Sequence, residues 1–291
     1  MSKRKHEELE QPGLYGHGRK WFRGPMIGKG SSGSVYLATS KEPKSRLTHF
    51  PAQMAVKSAE ISDSCTLQKE RMVLSNLQGC PYVRCCYGEE ITYGERGEMV
   101  YNLLLEYGSA GTLADMIKKT GRTGLPESDV QRYTRYIVLG LQSIHRYGYV
   151  LRDLKPENII LFPITSASNS TKYVVKIGDY GSAKKVMSMK KRRLNPYLRG
   201  NIKYLSPEVV FDGKQVPPGD IWALGCLVVE MLTGKSLWDG KKDKEIEDIL
   251  YEIGEGHGLI MFEVRVIVHQ MIQVSYLKKI GLRQISLNPT N

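Results

Sequence analysis

Two short polar motifs in the second half of the chain constrain its fold more than any other sequence feature. The first, RDLKPEN, occupies residues 152–158 and follows a segment with the apolar periodicity of a helix. The second, DYG, occupies residues 179–181 and begins 26 residues after Asp153. Together they contain a lysine, an amide and carboxylates, so a fold that joins them would concentrate metal-ligating and proton-accepting groups.

The side chains of these motifs suit phosphoryl transfer, a reaction that depends mainly on positioning and charge stabilisation. Asp153 can orient a hydroxyl group and accept its proton, and Lys155 can neutralise a γ-phosphate. Asn158 and Asp179 offer the hard oxygen ligands that Mg²⁺ prefers. The alternative, two unrelated acidic loops, is disfavoured because further parts of a phosphate-binding site occur in order along the chain.

A glycine-rich run near the start of the chain, GKGSSGSV at residues 28–35, suits the binding of phosphate groups. Glycines let backbone amides approach phosphates closely, and Val35 can cover an adenine ring. A GxGxxG run also opens dinucleotide-binding folds, but a strand-like run and not a helix follows Gly33. The GKS triplet at residues 234–236 does not complete a P-loop, because Val229 stands where that motif requires glycine.

Lys57 ends an apolar run, MAVK at residues 54–57, and lies 13 residues before Glu70. A lysine at the end of a strand is usually solvated. Glu70, however, falls on the apolar face of a predicted helix with Leu67 and Leu74, and a carboxylate on a buried face needs a partner. We therefore predict a Lys57–Glu70 ion pair that holds the lysine for phosphate binding.

The order of predicted elements indicates an α+β protein of two lobes. Short apolar runs broken by glycine predict mainly antiparallel strands in the first lobe, with one helix, and helical periodicity dominates the second. One long helix is expected to begin after Pro126, and residues 220–233, apolar nearly all round, predict a buried helix. Residues 246–253 predict another, amphipathic helix.

We predict four segments from these patterns. They are a flexible basic tail at residues 1–20, a small lobe at 21–107, an incomplete large lobe at 108–255 and an atypical tail at 256–291.

The composition bounds the class of protein without choosing a function. The formal net charge of +12 leaves nucleic-acid binding as a minor alternative, but no recognition motif accompanies the charge. The five cysteines are odd in number and form no CxxC pair, which is typical of reduced thiols inside a cell. The first twenty residues lack the apolar core of a signal peptide, and charged residues interrupt the most apolar late stretch at 258–277. We expect an intracellular protein, cytoplasmic or nuclear, without a membrane span.

Taken together and in this order, the motifs resemble those of a eukaryotic protein kinase over residues 22–254. SPE at residues 206–208 resembles the end of the activation segment, and DIWALG at 220–225 resembles the start of the central large-lobe helix. The lysine in DLKPEN is typical of serine/threonine kinases. The stretches MIGKGSSGSVYLA, LQKE, LLLEYGSAGTL and GCLVVEMLTGKSLW are similar to plant-type mitogen-activated protein kinase kinase kinases.

This resemblance implies ATP and Mg²⁺ as cofactors and protein substrates, among them a kinase of the next tier. It implies catalytic roles for Asp153, Lys155, Lys57 and Glu70, and metal binding by Asn158 and Asp179. The residues expected to contact ATP are Ile27, Gly28, Lys29, Gly30, Ser31, Ser32, Gly33, Ser34, Val35, Ala55, Lys57, Leu105, Glu106 and Gly108. Leu105 would be the gatekeeper, and residues 106–108 would form the hinge. The alternative function is a catalytically impaired pseudokinase or decoy that binds partners.

The sequence departs from the family pattern at several positions. Leu151 replaces a histidine, Tyr180 replaces a phenylalanine, and Asn201 replaces a threonine that bonds the catalytic aspartate and lysine. After Glu255 the sequence no longer resembles the family, so the arginine that would pair with Glu208 is missing. Arg265 or Arg283 are the candidates to replace it. A buried, unpaired Glu208 would cost several kcal/mol, on the order of the penalty for any isolated buried charge.

The activation segment also lacks the usual phosphorylation site. The hydroxyl residues between Gly181 and Glu208 are Ser182, Ser188, Tyr197, Tyr204 and Ser206. The resemblance places the switch residue roughly ten positions before Glu208, where no serine or threonine stands. We therefore predict activity that does not depend on serine or threonine phosphorylation in this segment. Phosphorylation of Tyr197 is the alternative that this reasoning leaves open.

Overall fold

The computed structural model describes residues 16–41, 50–164, 171–186, 201–213 and 215–236. The chain divides into two compact units. Of the described residues, the small unit contains those up to Arg71 together with Cys86–Tyr107, and the large unit contains Met72–Cys85 and those from Gly108 onward. The α+β fold class predicted from the sequence is confirmed.

The small unit is built on a five-stranded antiparallel sheet. Its strands pair in the order β1-β2-β3-β5-β4. The bounds are β1 Trp21–Gly30, β2 Gly33–Ser40, β3 Gln53–Glu60, β4 Cys86–Tyr93 and β5 Met99–Leu105. Helix α1, Cys65–Asn76, follows β3 and contributes residues 65–71 to this unit. Strand β4 lies at the edge of the sheet, and its first residues, CYGEE, show no alternation of polar and apolar side chains, so the sequence analysis did not assign it to a strand.

The sheet is anchored by the first residue of β1 and by the residues just before it. Trp21 is completely buried in an apolar cluster with Met54 and Leu104, and its indole Nε1 donates to Glu90 Oε2 at 2.8 Å. The backbone N–H of Arg19 donates to the other oxygen of the same carboxylate at 2.8 Å. The sequence analysis placed residues 16–20 in a flexible tail, whereas hydrogen bonds to β4 hold this stretch in the small unit.

The large unit is mainly helical. Its helices are α2 Leu113–Lys119, α3 Glu127–Arg146, α4 Pro207–Asp212 and α5 Pro217–Thr233. The predicted apolar stripe of α3 is confirmed, since Tyr133, Ile137 and Leu141 are buried. Helix α5 is buried on most sides, as expected, and ends at Gly234, whose φ of 68° is the left-handed conformation that glycine adopts readily. The helix predicted at residues 246–253 lies outside the described residues.

Four short strands in the large unit hold the two polar motifs in place. Strand β6, Tyr149–Val150, pairs with β9, Lys184–Lys185, and β7, Ile159–Ile164, pairs with β8, Lys172–Ile177. The RDLKPEN loop runs from β6 to β7, and the DYG loop runs from β8 to β9. The strand before the RDLKPEN loop pairs with the strand after the DYG loop, and the strand after RDLKPEN pairs with the strand before DYG. These two pairings bring the motifs together.

Among the described residues, none of the helices combines the length and apolar character needed to cross a membrane.

Candidate active site

The glycine-rich run forms the turn between β1 and β2. Gly30 pairs with Gly33, and the exposed backbone around Ser31 forms the tip of the hairpin. Gly33 has a φ of 132°, and a Cβ atom there would lie 2.3 Å from the carbonyl oxygen of Ser58, so only glycine fits. A Cβ atom at Gly30 would meet nothing within 4 Å, so packing within the protein does not require that glycine. Close approach by a phosphate would account for it.

The strand register gathers several of the predicted ATP-binding residues on one face of the sheet. Val35 lies opposite Lys57, and Ala55 lies opposite Leu105. Ala55 and Lys57 are two positions apart on β3, and directly paired residues share a face, so all four side chains lie on the same side. Ala55 and Leu105 are completely buried.

Lys57 and Glu70 form the ion pair that the sequence predicts. The Lys57 ammonium donates to Glu70 Oε2 at 2.9 Å, and the side chains are only 8% and 1% exposed. Helix α1 places Glu70 among the buried side chains of Leu67 and Leu74, where an unpaired carboxylate would be costly. Removing one member of such a pair typically costs about 3–5 kcal/mol, because the other is left as an uncompensated buried charge.

The predicted hinge residues span the change from one unit to the other. Glu106 is half-buried at the end of the small unit, and Gly108 opens the large unit. A Cβ atom at Gly108 would lie 2.2 Å from the Ile160 side chain and 2.8 Å from the Leu161 carbonyl oxygen. The close approach of β7 therefore requires glycine at this position.

In the large unit, the residues of RDLKPEN form a compact hydrogen-bonded cluster. Lys155 Nζ donates to Asp153 Oδ2 at 2.8 Å. The Asn158 amide donates to the Asp153 carbonyl oxygen at 2.8 Å and to Asp153 Oδ2 at 3.1 Å. These contacts fix the rotamer of Asp153 and place a positive charge beside it.

The DYG motif meets this cluster through the backbone. The N–H of Gly178 donates to the carbonyl oxygen of Asn158 at 2.8 Å. The next residue, Asp179, has a φ of 55°, which is uncommon outside glycine and typical of functional turns. Its Oδ1 atom accepts from the N–H of Gly181 at 3.2 Å. This Gly178–Asn158 hydrogen bond therefore brings together the two predicted metal ligands, Asn158 and Asp179.

This donor set fits Mg²⁺. Because the amide nitrogen of Asn158 donates to Asp153, its side-chain oxygen is the atom left to ligate a cation. The described part of the chain holds no cluster of three or more histidine, cysteine or acidic residues suited to a metal. Mg²⁺ needs no such cage, since it usually binds one or two carboxylates and keeps its other positions for phosphates and water.

A buried aspartate on α5 accepts hydrogen bonds from the start of the RDLKPEN loop. Asp220 is 2% exposed and accepts from the backbone N–H groups of Leu151 and Arg152, both at 2.9 Å. His145 Nε2 lies 2.7 Å from the Asp220 Oδ2 atom. The sequence analysis recorded Asp220 only as the start of a helix motif. The signal was available, because a carboxylate at the start of an almost wholly apolar helix needs partners.

The structure accommodates the unusual residues of the two motifs. Leu151 is completely buried, as expected for a packing position. Tyr180 is also buried, and its hydroxyl group donates to the Ile177 carbonyl oxygen at 3.0 Å, so the extra polar atom is satisfied. Asn201 accepts from the N–H of Lys203 and caps a short turn. Within the described residues, Asn201 makes no hydrogen bond to Asp153 or Lys155.

The expectation of a buried, unpaired Glu208 is corrected in part. Glu208 is half-buried at the start of α4, so its desolvation penalty is smaller than that of a fully buried charge. No ion pair to Glu208 occurs among the described residues. The candidate partners Arg265 and Arg283 lie outside the described residues.

Glu230 on α5 gives the large unit a pH-dependent contact. Burial, together with the charge of Glu157, raises the pKa of the Glu230 carboxyl group, while hydrogen bonding to Tyr204 and the charge of Lys203 lower it. The Tyr204 hydroxyl donates to Glu230 Oε2 at 2.6 Å. The net effect is a folded-state pKa above the ordinary value of 4.5.

We predict that Glu230→Gln raises the thermal stability at pH 8. A raised pKa means that the stability contributed by protonated Glu230 is present below its ordinary pKa and lost as the pH rises through the folded-state value. Glutamine keeps the acceptor for Tyr204 and does not titrate. Melting temperatures between pH 4.5 and 8 should show the variant gaining on the wild type as pH rises, and a constant difference would contradict this.

The comparison with known proteins decides the family. A family model described as the protein kinase domain matches residues 21–276, further along the chain than residue 254, where the sequence analysis ended its resemblance. The chain belongs to the protein kinase family. The expected membership of the serine/threonine protein kinases is confirmed by its relatives, which are mitogen-activated protein kinase kinase kinases.

Three relatives from Arabidopsis thaliana show the degree of similarity. Mitogen-activated protein kinase kinase kinase 20 is 42% identical over 82% of this kinase chain and 67% of its own length. Mitogen-activated protein kinase kinase kinases 17 and 18 are 36% and 37% identical over 81% and 80% of this chain, and over 58% and 64% of their own lengths. This kinase chain therefore spans about three fifths to two thirds of these relatives.

Proposed function

We propose that this chain is an ATP- and Mg²⁺-dependent enzyme that phosphorylates serine or threonine hydroxyls of other proteins. The observation that carries the proposal is the hydrogen-bonded cluster of Asp153, Lys155 and Asn158, joined to Asp179 through the Gly178 N–H. This cluster provides a proton acceptor, a cation and two oxygen ligands in one unit. Phosphoryl transfer needs these groups and little covalent chemistry.

Each group has a role in the proposed reaction. ATP supplies the transferable γ-phosphoryl group when it is bound. Asp153 orients the acceptor hydroxyl and takes its proton, and Lys155 offsets the negative charge that would otherwise repel the acceptor. Asn158 and Asp179 would hold Mg²⁺ through their side-chain oxygens. In the small unit, the ion pair with Glu70 fixes Lys57 for phosphate contacts.

The substrate class follows from the relatives. The Arabidopsis proteins are named as kinases of a kinase kinase, and we propose that this chain likewise acts on a downstream kinase in a mitogen-activated cascade. We also propose an intracellular location, which fits five cysteines that form no disulfide.

Metal removal tests the proposal against the decoy alternative. The purified chain, radiolabelled ATP and a generic protein acceptor should give phosphate transfer in excess Mg²⁺, and excess EDTA should abolish it. Asp179→Asn should lower the rate at least about a hundredfold, because it removes the charged metal ligand while keeping the oxygen that accepts from Gly181. A decoy would bind nucleotide without transferring phosphate in either buffer, which would refute the enzymatic proposal.

A further inference from the structure

Arg152, the residue before Asp153, is connected to three parts of the large unit. Its guanidinium Nε donates to the carbonyl oxygen of Ser182 at 2.7 Å, and its Nη1 donates to the side-chain oxygen of Gln215. Its backbone N–H donates to Asp220. Arg152 therefore links the catalytic loop to the residue after DYG and to the segment that leads into α5.

The backbone at Arg152 shows that this arrangement is held under strain. Arg152 has a φ of 70°, a left-handed conformation that is unfavourable for a non-glycine residue. Such conformations persist only where the surrounding contacts determine them. The hydrogen bonds of the Arg152 side chain and backbone hold this conformation. They thereby fix the position of the next residue, Asp153.

The partner on the α5 side is a neutral amide. A guanidinium bonded to an uncharged acceptor keeps its hydrogen bond whatever the phosphorylation state of the protein, whereas a phosphate partner is present only after modification. The sequence of the activation segment agrees, since it has no serine or threonine at the expected switch position. Of its hydroxyl residues, Tyr204 donates to Glu230, and the Ser206 side chain is buried.

Gln215 and Arg152 also line a small cavity beside Asp153. Its volume of ≈ 30 Å³ admits one or two water molecules. The contact that the structure gives the Gln215 side chain is the one with Arg152.

We propose that Gln215 is a positioning residue that takes the place of an activating phosphate. By holding Arg152, it aligns the catalytic loop with the DYG motif without modification of the activation segment. This inference rests on the proposed kinase function for its consequence, while the contact itself can be tested without turnover.

The test compares three variants of the full chain with the wild type. Gln215→Ala removes the acceptor, Gln215→Glu keeps it, and Gln131→Ala is a matched control that removes a glutamine bonded to Glu127 on the exposed face of α3. We expect Gln215→Ala to lower kcat about tenfold, as for the loss of a hydrogen bond to a charged group, with KM for ATP unchanged. Gln215→Glu and Gln131→Ala should stay within about twofold of wild type. Phosphatase treatment should leave wild-type activity unchanged.

Amide hydrogen exchange of residues 182–186 provides a readout that needs no catalysis. Gln215→Ala should accelerate exchange there about tenfold, because Arg152, which donates to the Ser182 carbonyl, is no longer held by Gln215 and the segment opens more often. The other two variants should not accelerate it. Three results would each overturn the proposal. The first is a Gln215→Ala variant with wild-type kcat and wild-type exchange, and the second is a Gln215→Glu variant whose kcat falls as far as that of Gln215→Ala. The third is inactivation of the wild type by phosphatase. If the wild type shows no transfer at all, the kinase function fails, and the exchange rates alone decide the role of Gln215.

Discussion

Replacement of Asp153 by asparagine is expected to lower kcat about a thousandfold, within the 10²–10⁴ range for the loss of a general base. Asparagine cannot accept the proton of the substrate hydroxyl. Its side-chain oxygen can still accept from Lys155 and Asn158, so the loop should keep its structure. Steady-state rates with a generic acceptor provide the measurement.

Two controls make this result interpretable. The urea midpoint of Asp153→Asn should lie close to that of the wild type, and its affinity for Mg·ATP should change less than about tenfold, since Asp153 is not among the proposed metal ligands. A variant that retains more than a tenth of the wild-type kcat would show that Asp153 is not the proton acceptor.

Replacement of Asp220 by alanine is expected to destabilise the large unit by about 3 kcal/mol or more. The substitution leaves the backbone N–H groups of Leu151 and Arg152 without their acceptor in a buried site, and each unsatisfied donor costs about 1–3 kcal/mol. It also removes a partner of the buried His145 ring. Urea unfolding at pH 7 measures the loss.

Two further variants, Asp220→Asn and Asp129→Ala, separate the loss of buried hydrogen bonds from a general loss of negative charge. Asp220→Asn keeps one acceptor oxygen and should lose about half as much stability. Asp129→Ala removes a surface contact to Arg132 on α3 and should cost less than about 1 kcal/mol. Equal stabilities of Asp220→Ala and Asp129→Ala would show that Asp220 does not support the catalytic loop.

The parts of the site that the sequence predicts are those in which the chemistry demands a partner. Glu70 on an apolar helix face required a cation, and the structure pairs it with Lys57. The long helices were also predictable, because the apolar stripe of α3 repeats over several turns and α5 is apolar nearly all round.

Other parts depend on tertiary contacts that leave little trace in the sequence. Strands β6 and β9 contain two residues each, which is too short for any alternation, yet they fix both motif loops. The contact of Gln215 with Arg152 depends on the path of the chain into α5. A single glutamine in a loop belongs to no periodic pattern, so the sequence does not predict this contact. The residues before Trp21 look like a polar tail, but Arg19 is held by the carboxylate of Glu90 on β4.

The most direct test of the central claim is phosphoamino-acid analysis of a protein acceptor incubated with the purified chain and radiolabelled Mg·ATP. The proposed function predicts label on serine or threonine with the wild type, and about a thousandfold less with Asp153→Asn at the same concentration. An unlabelled acceptor with folded wild-type protein, or equal labelling by the two proteins, would contradict it.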